Sequence, residues 1–265
     1  MSEILSAKSV VKSYGVGEDR LIIIDGLNLS IREGEFVSLV GPSGCGKTTL
    51  LMCLSGLLEV SEGEVCFEGQ QLHSTPPGLS VVFQDYSRSL LPWKNNLDNV
   101  LFGMRRVKGM ADAEKRAKAD ELLAAVGLSG FSKHYPWQVS GGMQQRVAIA
   151  RGIASQSKLL LLDEPLAAVD AQTRADMQDL LLELAKKFKQ TCVLVTHDVE
   201  EAVYMADRVL VLGPRPTKVV EEVKINLARP RDQLTTREEP EFLHARHKVL
   251  SLIRSMRQAR KDISL

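Results

Sequence analysis

Read from its amino terminus, the chain alternates apolar and polar positions weakly over Ile4–Val11, then carries an apolar run at Leu21–Ile24 and another, FVSLV, at Phe36–Val40. Period-two alternation and short apolar runs both predict strands, so the opening is strand-rich. The FVSLV run ends abruptly on glycine. From Thr48 to Leu58 the spacing predicts a helix that stops near Gly56, and Val65–Phe67 and Val81–Phe83 read as short strands separated by the turn-forming stretch HSTPPG. Between about Asn95 and Gly127 the pattern changes: strong helix formers with Leu122, Leu123 and Val126 on one face predict a helical insertion. Beyond it, Gly141–Ala154, Ala171–Phe188 and Val199–Met205 read as helices, interleaved with the continuous apolar runs LLLLD (159–163) and CVLVT (192–196). Strands that are apolar on both faces and alternate with helices imply an α/β fold with a parallel sheet covered on both sides. After Pro214 the chain turns polar, and a basic helical tail over Glu241–Lys261 follows the acids Glu238 and Glu239. Its arginines, Arg246, Arg254, Arg257 and Arg260, are read as the solvated face of a terminal helix rather than a nucleic-acid patch. The organisation expected is a main domain over residues 1–230, with its helical insert at about 88–155, and a helical tail over 231–265.

Composition changes this picture little. The chain has 265 residues, of which 44% are hydrophobic and 25% charged, and a formal net charge of +1, which argues against a purely electrostatic nucleic-acid binder. No apolar run approaches the ~18 residues a membrane span needs, and the N-terminus has no basic and apolar leader pattern. The four cysteines, Cys45, Cys53, Cys66 and Cys192, lack metal-binding or disulfide spacing and read as reduced thiols of a cytosolic protein.

The candidate chemistry starts where FVSLV meets glycine. The stretch Gly41, Pro42, Ser43, Gly44, Cys45, Gly46, Lys47, Thr48, Thr49 matches G-x-x-x-x-G-K-[ST] in a strand–loop–helix context. Glycines let backbone N–H groups converge on phosphate oxygens, the helix N-terminus adds a favourable dipole, Lys47 reaches the β- and γ-phosphates, and Thr48 ligates Mg²⁺. A thiol at a helix start tends to a lowered pKa, so alkylation of Cys45 is expected to block activity and ATP to protect it. LLLLDEP (159–165) is a buried strand ending in two acids: Asp163 suits Mg²⁺, and Glu164 suits a general base for an attacking water, although acids also simply cap strand ends. In VSGGMQQR (139–146), Ser140 reads as an N-cap, with Gly141 and Gly142 exposing N–H groups at a helix start; a plain turn has the same composition.

The ordered set GPSGCGKT, VVFQ ending at Gln84, VSGGMQQR, LLLLDEP, AAVD ending at Asp170 and VLVTHD with His197 resembles the ATP-binding subunits of ABC transporters over residues ~1 to 215. The resemblance implies a P-loop NTPase core with an antiparallel β subdomain and a helical subdomain. It implies ATP and Mg²⁺ as ligands, and a second ATPase subunit, identical or related, so that each of two ATP molecules lies between one chain's P-loop and the other's Ser140, Gly141, Gly142 and Gln144. By position, Tyr14 would stack on adenine, Gln84 would sense Mg²⁺ and the attacking water, His197 would contact the γ-phosphate, and Asp170 would lie at the dimer interface. On residues alone, Tyr14 is also compatible with simple packing and His197 with a satisfied core histidine. Two departures are visible: Val139 and Met143 replace the commoner Leu and Gln of the signature, and Ala167 replaces the serine of SALD, which touches communication between the two ATP sites.

Within that family, DYSRSLLPWKNNLDNV after Gln84, THDVEEAVYMADRVLVL and the late RPRD resemble the nitrate, sulfonate and taurine import branch. That branch implies two membrane permease subunits, indirect contact with a periplasmic or lipid-anchored solute-binding protein, and a peripheral place on the cytoplasmic face of a bacterial inner membrane. Arg88, Leu90, Leu91, Pro92 and Trp93 form the expected docking wedge for a permease helix, or else a core-packed loop. A soluble ABC ATPase acting on nucleic acid or ribosomes is the alternative; it usually carries long coiled coils or tandem cassettes, absent here. A GTPase would require an N-K-x-D motif, which the chain lacks, and the VSGG segment has no task in a GTPase or a small-molecule kinase.

Overall fold

A computed structural model describes residues 2–15, 17–85, 89–167 and 169–263. The chain divides into two compact units, one of residues 1–76 with 191–265 and one of residues 77–190.

In the first unit, β1 (Glu3–Tyr14) pairs antiparallel with β2 (Leu21–Arg32), with Leu5 opposite Ile31 and Ala7 opposite Leu29. On its other edge β1 takes β4 (Glu62–Phe67), which continues into the short β5 (Gln70–Gln71), giving a sheet of order β2-β1-β4-β5. The weak alternation at Ile4–Val11 is therefore the inner part of a longer strand, whose pattern is blurred by register shifts at Ala7–Val10 and Val10–Lys12. The apolar run Phe36–Val40 is β3, which pairs in parallel with β8 (Thr191–Val195) and β9 (Arg208–Leu212), while β10 (Val219–Lys224) adds antiparallel to β9. All residues of β3, β8 and β9 are buried, as expected of strands covered on both faces. Helix α1 (Lys47–Leu54) follows β3 through the glycine loop.

The second unit pairs β6 (Leu79–Val82) with β7 (Leu159–Asp163) in parallel, Leu79 beside Leu159 and Val82 beside Leu162. The predicted helical insertion is two helices, α2 (Asn96–Gly103) and α3 (Asp112–Ala125), which pack with α4 (Gly141–Ala154); α5 (Ala171–Lys187) follows β7. A 3₁₀ turn and Gly109 at φ +76° separate α2 from α3, a break that the continuous run of helix formers conceals.

The tail differs from expectation. α6 (Val199–Met205) is covered by α8 (Pro240–Ile263), which the short α7 (Thr235–Glu238) precedes. One stripe of α8, Phe242, Ala245, Val249 and Ile253, is buried, so the helix is docked by the 3–4 spacing of its apolar residues rather than fully solvated. Arg246 pairs with Glu200 at 2.9 Å and Arg237 with the same carboxylate at 3.0 Å. The late RPRD motif has a structural task. Arg231 is buried and donates to the carbonyls of Tyr204 and Ala206 at the end of α6, while Arg229 bonds Met205 O and pairs with Asp207 at 2.7 Å. Cations fit the negative end of a helix, and burial pushes the Arg231 guanidinium down to about 10, still charged at neutral pH. Among the described residues, no helix is long and apolar enough to cross a membrane.

Candidate functional site

In the first unit the glycine loop is shaped by close approach. A Cβ on Gly41 would lie 2.9 Å from Leu212 O and 3.1 Å from Cys45 Sγ; one on Gly46, at φ +110°, would lie 2.7 Å from Ile23 Cγ2. No other residue fits either position without moving backbone or core. Lys47 opens α1 yet is only 7% exposed, and its ammonium donates to Gly41 O at 3.1 Å and Pro42 O at 3.2 Å. The loop thus holds a charged amine on its own carbonyls, while Ser43, Gly44 and Thr48 are exposed and Thr49 is half-buried. Tyr14 closes β1 and is 46% exposed, with Lys12 Nζ 5.1 Å from its ring centroid. His197 is exposed just past β8, and the chain beside it is fixed: Asp198 N donates to Thr196 Oγ1 at 3.1 Å, and the Asp198 carboxylate caps α6 by accepting from Glu200 N and Glu201 N.

In the second unit two capped helix starts lie side by side. Ser140 Oγ accepts from Met143 N at 3.3 Å to start α4, and Asp170 accepts from Thr173 N at 3.0 Å to start α5. A Cβ on Gly142 would rest 3.4 Å from Thr173 Cγ2, so the signature and the AAVD segment present neighbouring N-termini. Hydrogen bonding from Thr173 holds the exposed Asp170 carboxyl below the usual carboxylate range. Gln144 turns its amide back onto Val139 O at 3.3 Å. At the end of β7, Asp163 is buried, whereas Glu164 is half-buried at φ +42° and its carbonyl accepts from Ala167 N at 3.2 Å. A glutamate in the left-handed region costs of order 1–2 kcal/mol, and such strain gathers at functional positions. Gln84 lies exposed beyond β6.

The LLPW wedge divides. Leu90 is 2% exposed and belongs to the core, as the packed-loop reading had it, whereas Pro92 and Trp93 are exposed and Leu91 is half-buried; Arg88 lies outside the described residues. The fully buried Asn99 on α2 fastens this loop: its Oδ1 accepts from Leu91 N at 2.9 Å, and its Nδ2 donates to Leu91 O, Lys94 O and Asn95 O at 3.0–3.1 Å. From α4, Arg151 reaches Ser89 with Nη1 to the carbonyl at 2.6 Å and Nη2 to Oγ at 2.9 Å, and its burial lowers its pKa.

A profile described as ABC transporter matches residues 24–167, more than half of the chain. The chain belongs to the ABC transporter family. It is 45% identical over 94% of its length to an uncharacterized ABC transporter ATP-binding protein of Methanocaldococcus jannaschii, covering 91% of that protein. It is 40% identical over 89% of its length to the taurine import ATP-binding protein TauB of Escherichia coli, covering 93% of it. It is 39% identical to the nitrate import ATP-binding protein NrtC of Synechococcus elongatus, aligning over 98% of its own length but only 40% of that longer protein. Among solved structures, a dimeric ATP-binding cassette in a post-hydrolysis state bound to ADP and Pi superposes with a TM-score of 0.74 at 34% identity, covering 84% of this chain and 99% of the other. The fold of this ABC protein is the ATPase cassette, and its activity is ATP hydrolysis coupled to transport.

One expectation for this ABC ATPase is overturned. Cys45 is 2% exposed, and burial raises its thiol pKa despite Lys47 and Arg215 nearby, so the helix-start effect loses to desolvation. In the native protein, a small maleimide is expected to modify the half-buried Cys66 first and Cys45 slowly, with little effect on ATPase rate over the time Cys66 reacts; peptide-resolved mass spectrometry reads the order. The residues that sequence reasoning missed, Asn99 and Arg151, are buried polar side chains inside helices, where composition alone gives no sign of their loop partners.

Proposed function

We propose that this chain is the ATPase subunit of an importer for a small anion of the nitrate, bicarbonate, sulfonate or taurine kind. It works as one of two cassettes beneath two membrane permease subunits, on the cytoplasmic face of the membrane, and is served indirectly by a periplasmic or lipid-anchored solute-binding protein. The import names of the relatives support the solute class. The observation that carries the coupling role is mechanical: the exposed Pro92–Trp93 shoulder is fixed by Asn99, and the segment leading into it is tied by Arg151 to the helix that begins at Ser140. A shift of α4 on closure of two cassettes therefore moves the shoulder.

In this reading the cradle of Gly41–Gly46 and the Lys47 ammonium bind the nucleotide phosphates, Tyr14 stacks on adenine, and Ser140, Gly141, Gly142 and Gln144 cover the partner's nucleotide. Asp170 lies at the same interface. Glu164 polarises the attacking water, with Gln84 and His197 aligned on the γ-phosphate. Among the described residues no group of three or more His, Cys, Asp or Glu forms a metal cage. Thr48, Asp163 and Gln84 are the residues that would serve Mg²⁺, an ion that needs only one or two protein ligands. Bound there, the ion would neutralise negative charge that develops on the phosphates.

Deleting the gene and following uptake of labelled nitrate, bicarbonate and taurine tests the reading: loss of one identifies the solute class, and unchanged uptake of every small anion offered overturns import. In the purified membrane complex, Trp93→Ala is expected to weaken permease association by more than about tenfold, as truncation of an interface tryptophan does, while ATP hydrolysis by the isolated subunit stays within about twofold. Pull-down yield with a tagged permease measures the first and phosphate release the second.

A further inference from the structure

The segment after β9 presses on the back of the phosphate loop. It is a closed turn, with Gly213 N donating to Lys218 O at 2.9 Å. It is stitched to β2 by its own backbone: Thr217 N donates to Ile23 O at 2.7 Å and Thr217 O accepts from Asp25 N at 3.3 Å, with Lys218 and Asp25 paired at 2.8 Å. From this fixed base two side chains reach forward. The Thr217 hydroxyl donates to Cys45 O, and Arg215 Nη2 donates to Gly44 O at 2.9 Å. Neither donor belongs to the G-x-x-x-x-G-K-[ST] motif, although both acceptors do.

We propose that Thr217 and Arg215 are positioning residues for the phosphate loop, holding the Gly44–Cys45 and Cys45–Gly46 peptides in the orientation that binds nucleotide. In a planar trans peptide the C=O and the following N–H point in opposite directions. A hydroxyl holding Cys45 O toward β2 therefore turns Gly46 N–H to the opposite side of the loop. Gly46, at φ +110°, has a wide range of peptide orientations available, and Thr217 removes that freedom before a ligand arrives. Arg215 acts on the preceding peptide through Gly44, itself at φ +72°, and brings a positive charge beside a loop that takes an anion. The inference rests on reading Gly41–Thr49 as the nucleotide site.

Thr217→Val keeps the shape and the backbone stitching and removes only the hydroxyl. Its Kd for a fluorescent ADP analogue is expected to rise about tenfold, the size of one lost hydrogen bond with its acceptor left unpaired, with Thr217→Ser within about twofold of wild type. Arg215→Ala is expected to weaken binding several-fold at low ionic strength and less at high salt, with Arg215→Lys retaining part of the effect. An independent readout is the alkylation rate of Cys45 without nucleotide, with buried Cys53 and Cys192 as internal standards. A loosened loop speeds Cys45 alone, about tenfold in Thr217→Val. Equal acceleration of all three thiols, or unchanged affinity and unchanged Cys45 rate, overturns the proposal. Wild-type protein that binds no nucleotide defeats the ATP-site reading itself, and the affinity role with it; an intact wild-type site with an unaltered Thr217→Val variant defeats the positioning role alone.

Discussion

Glu164→Gln protein is expected to bind ATP at near wild-type affinity and to hydrolyse it roughly 10²–10⁴-fold more slowly, the range that general-base catalysis supplies. The substitution is isosteric and removes only the ability to take a proton. It also keeps the backbone contact in which the Glu164 carbonyl accepts from Ala167 N at 3.2 Å, because that bond belongs to the main chain. The unusual φ of +42° is unchanged by the swap, since Gln and Glu meet the same backbone sterics. Light scattering on this variant with Mg-ATP is expected to show a dimer that wild-type protein, turning over, populates poorly, because closure without hydrolysis has no exit. Phosphate release by the variant within tenfold of wild type would assign the base elsewhere. A monomer that still binds ATP would separate this chain from the two-cassette scheme or require a different ATPase partner. The left-handed glutamate adds a second expectation within the same experiment. Glu164→Gly relieves the backbone strain and abolishes the base, so its thermal midpoint should lie at or above that of Glu164→Gln while both are equally inactive.

How much of this is legible in the sequence depends on how far apart the partners lie along the chain. The strands Phe36–Val40 and Leu159–Asp163 announce themselves because they are buried on both faces, and the glycine loop because its residues are contiguous and their geometry local. The caps at Ser140 and Asp170 are local too: each side chain bonds an N–H three residues on. What the sequence conceals is long-range. Thr217 meets Cys45 across 172 positions and Arg151 meets Ser89 across 62, and no window of periodicity spans either. Cys45 shows the same lesson with the opposite sign: the local rule for a helix start lowers a thiol pKa, and burial, which only the fold decides, raises it. The tail arginines look like a solvated basic run until α8 is docked, when Arg246 is found on Glu200, 46 positions away. The break between α2 and α3 hides for another reason. Residues 104–111 contain good helix formers, and one glycine with a positive φ outweighs their propensity.

Asn99 carries the other large effect. Its side chain is fully buried and serves the Leu91–Asn95 turn, one oxygen accepting from Leu91 N and one nitrogen shared among the carbonyls of Leu91, Lys94 and Asn95. Asn99→Leu fits the volume and leaves this cluster without its partner, at an expected cost of about 2–4 kcal/mol from stranded buried polar groups. A urea midpoint shift of that size, with permease association lost while nucleotide still binds the first unit, is the expected result. Asn99→Asp separates hydrogen bonding from packing. It preserves the acceptor for Leu91 N but aims an anionic oxygen at the carbonyls the amide had served, and repulsion with burial raises the carboxyl pKa above its unfolded value of ~3.9. Between those two pKa values the folded state binds more protons than the unfolded one, so stability falls as pH rises through the folded pKa and returns on acidification. The variant is therefore expected to be less stable than wild type at pH 7.5 and to regain part of the difference at pH 5.5, a trend opposite to ordinary acid denaturation. A midpoint difference from wild type that does not change between the two pH values would show that Asn99 does not donate to these carbonyls, and the shoulder at Trp93 would then need another anchor.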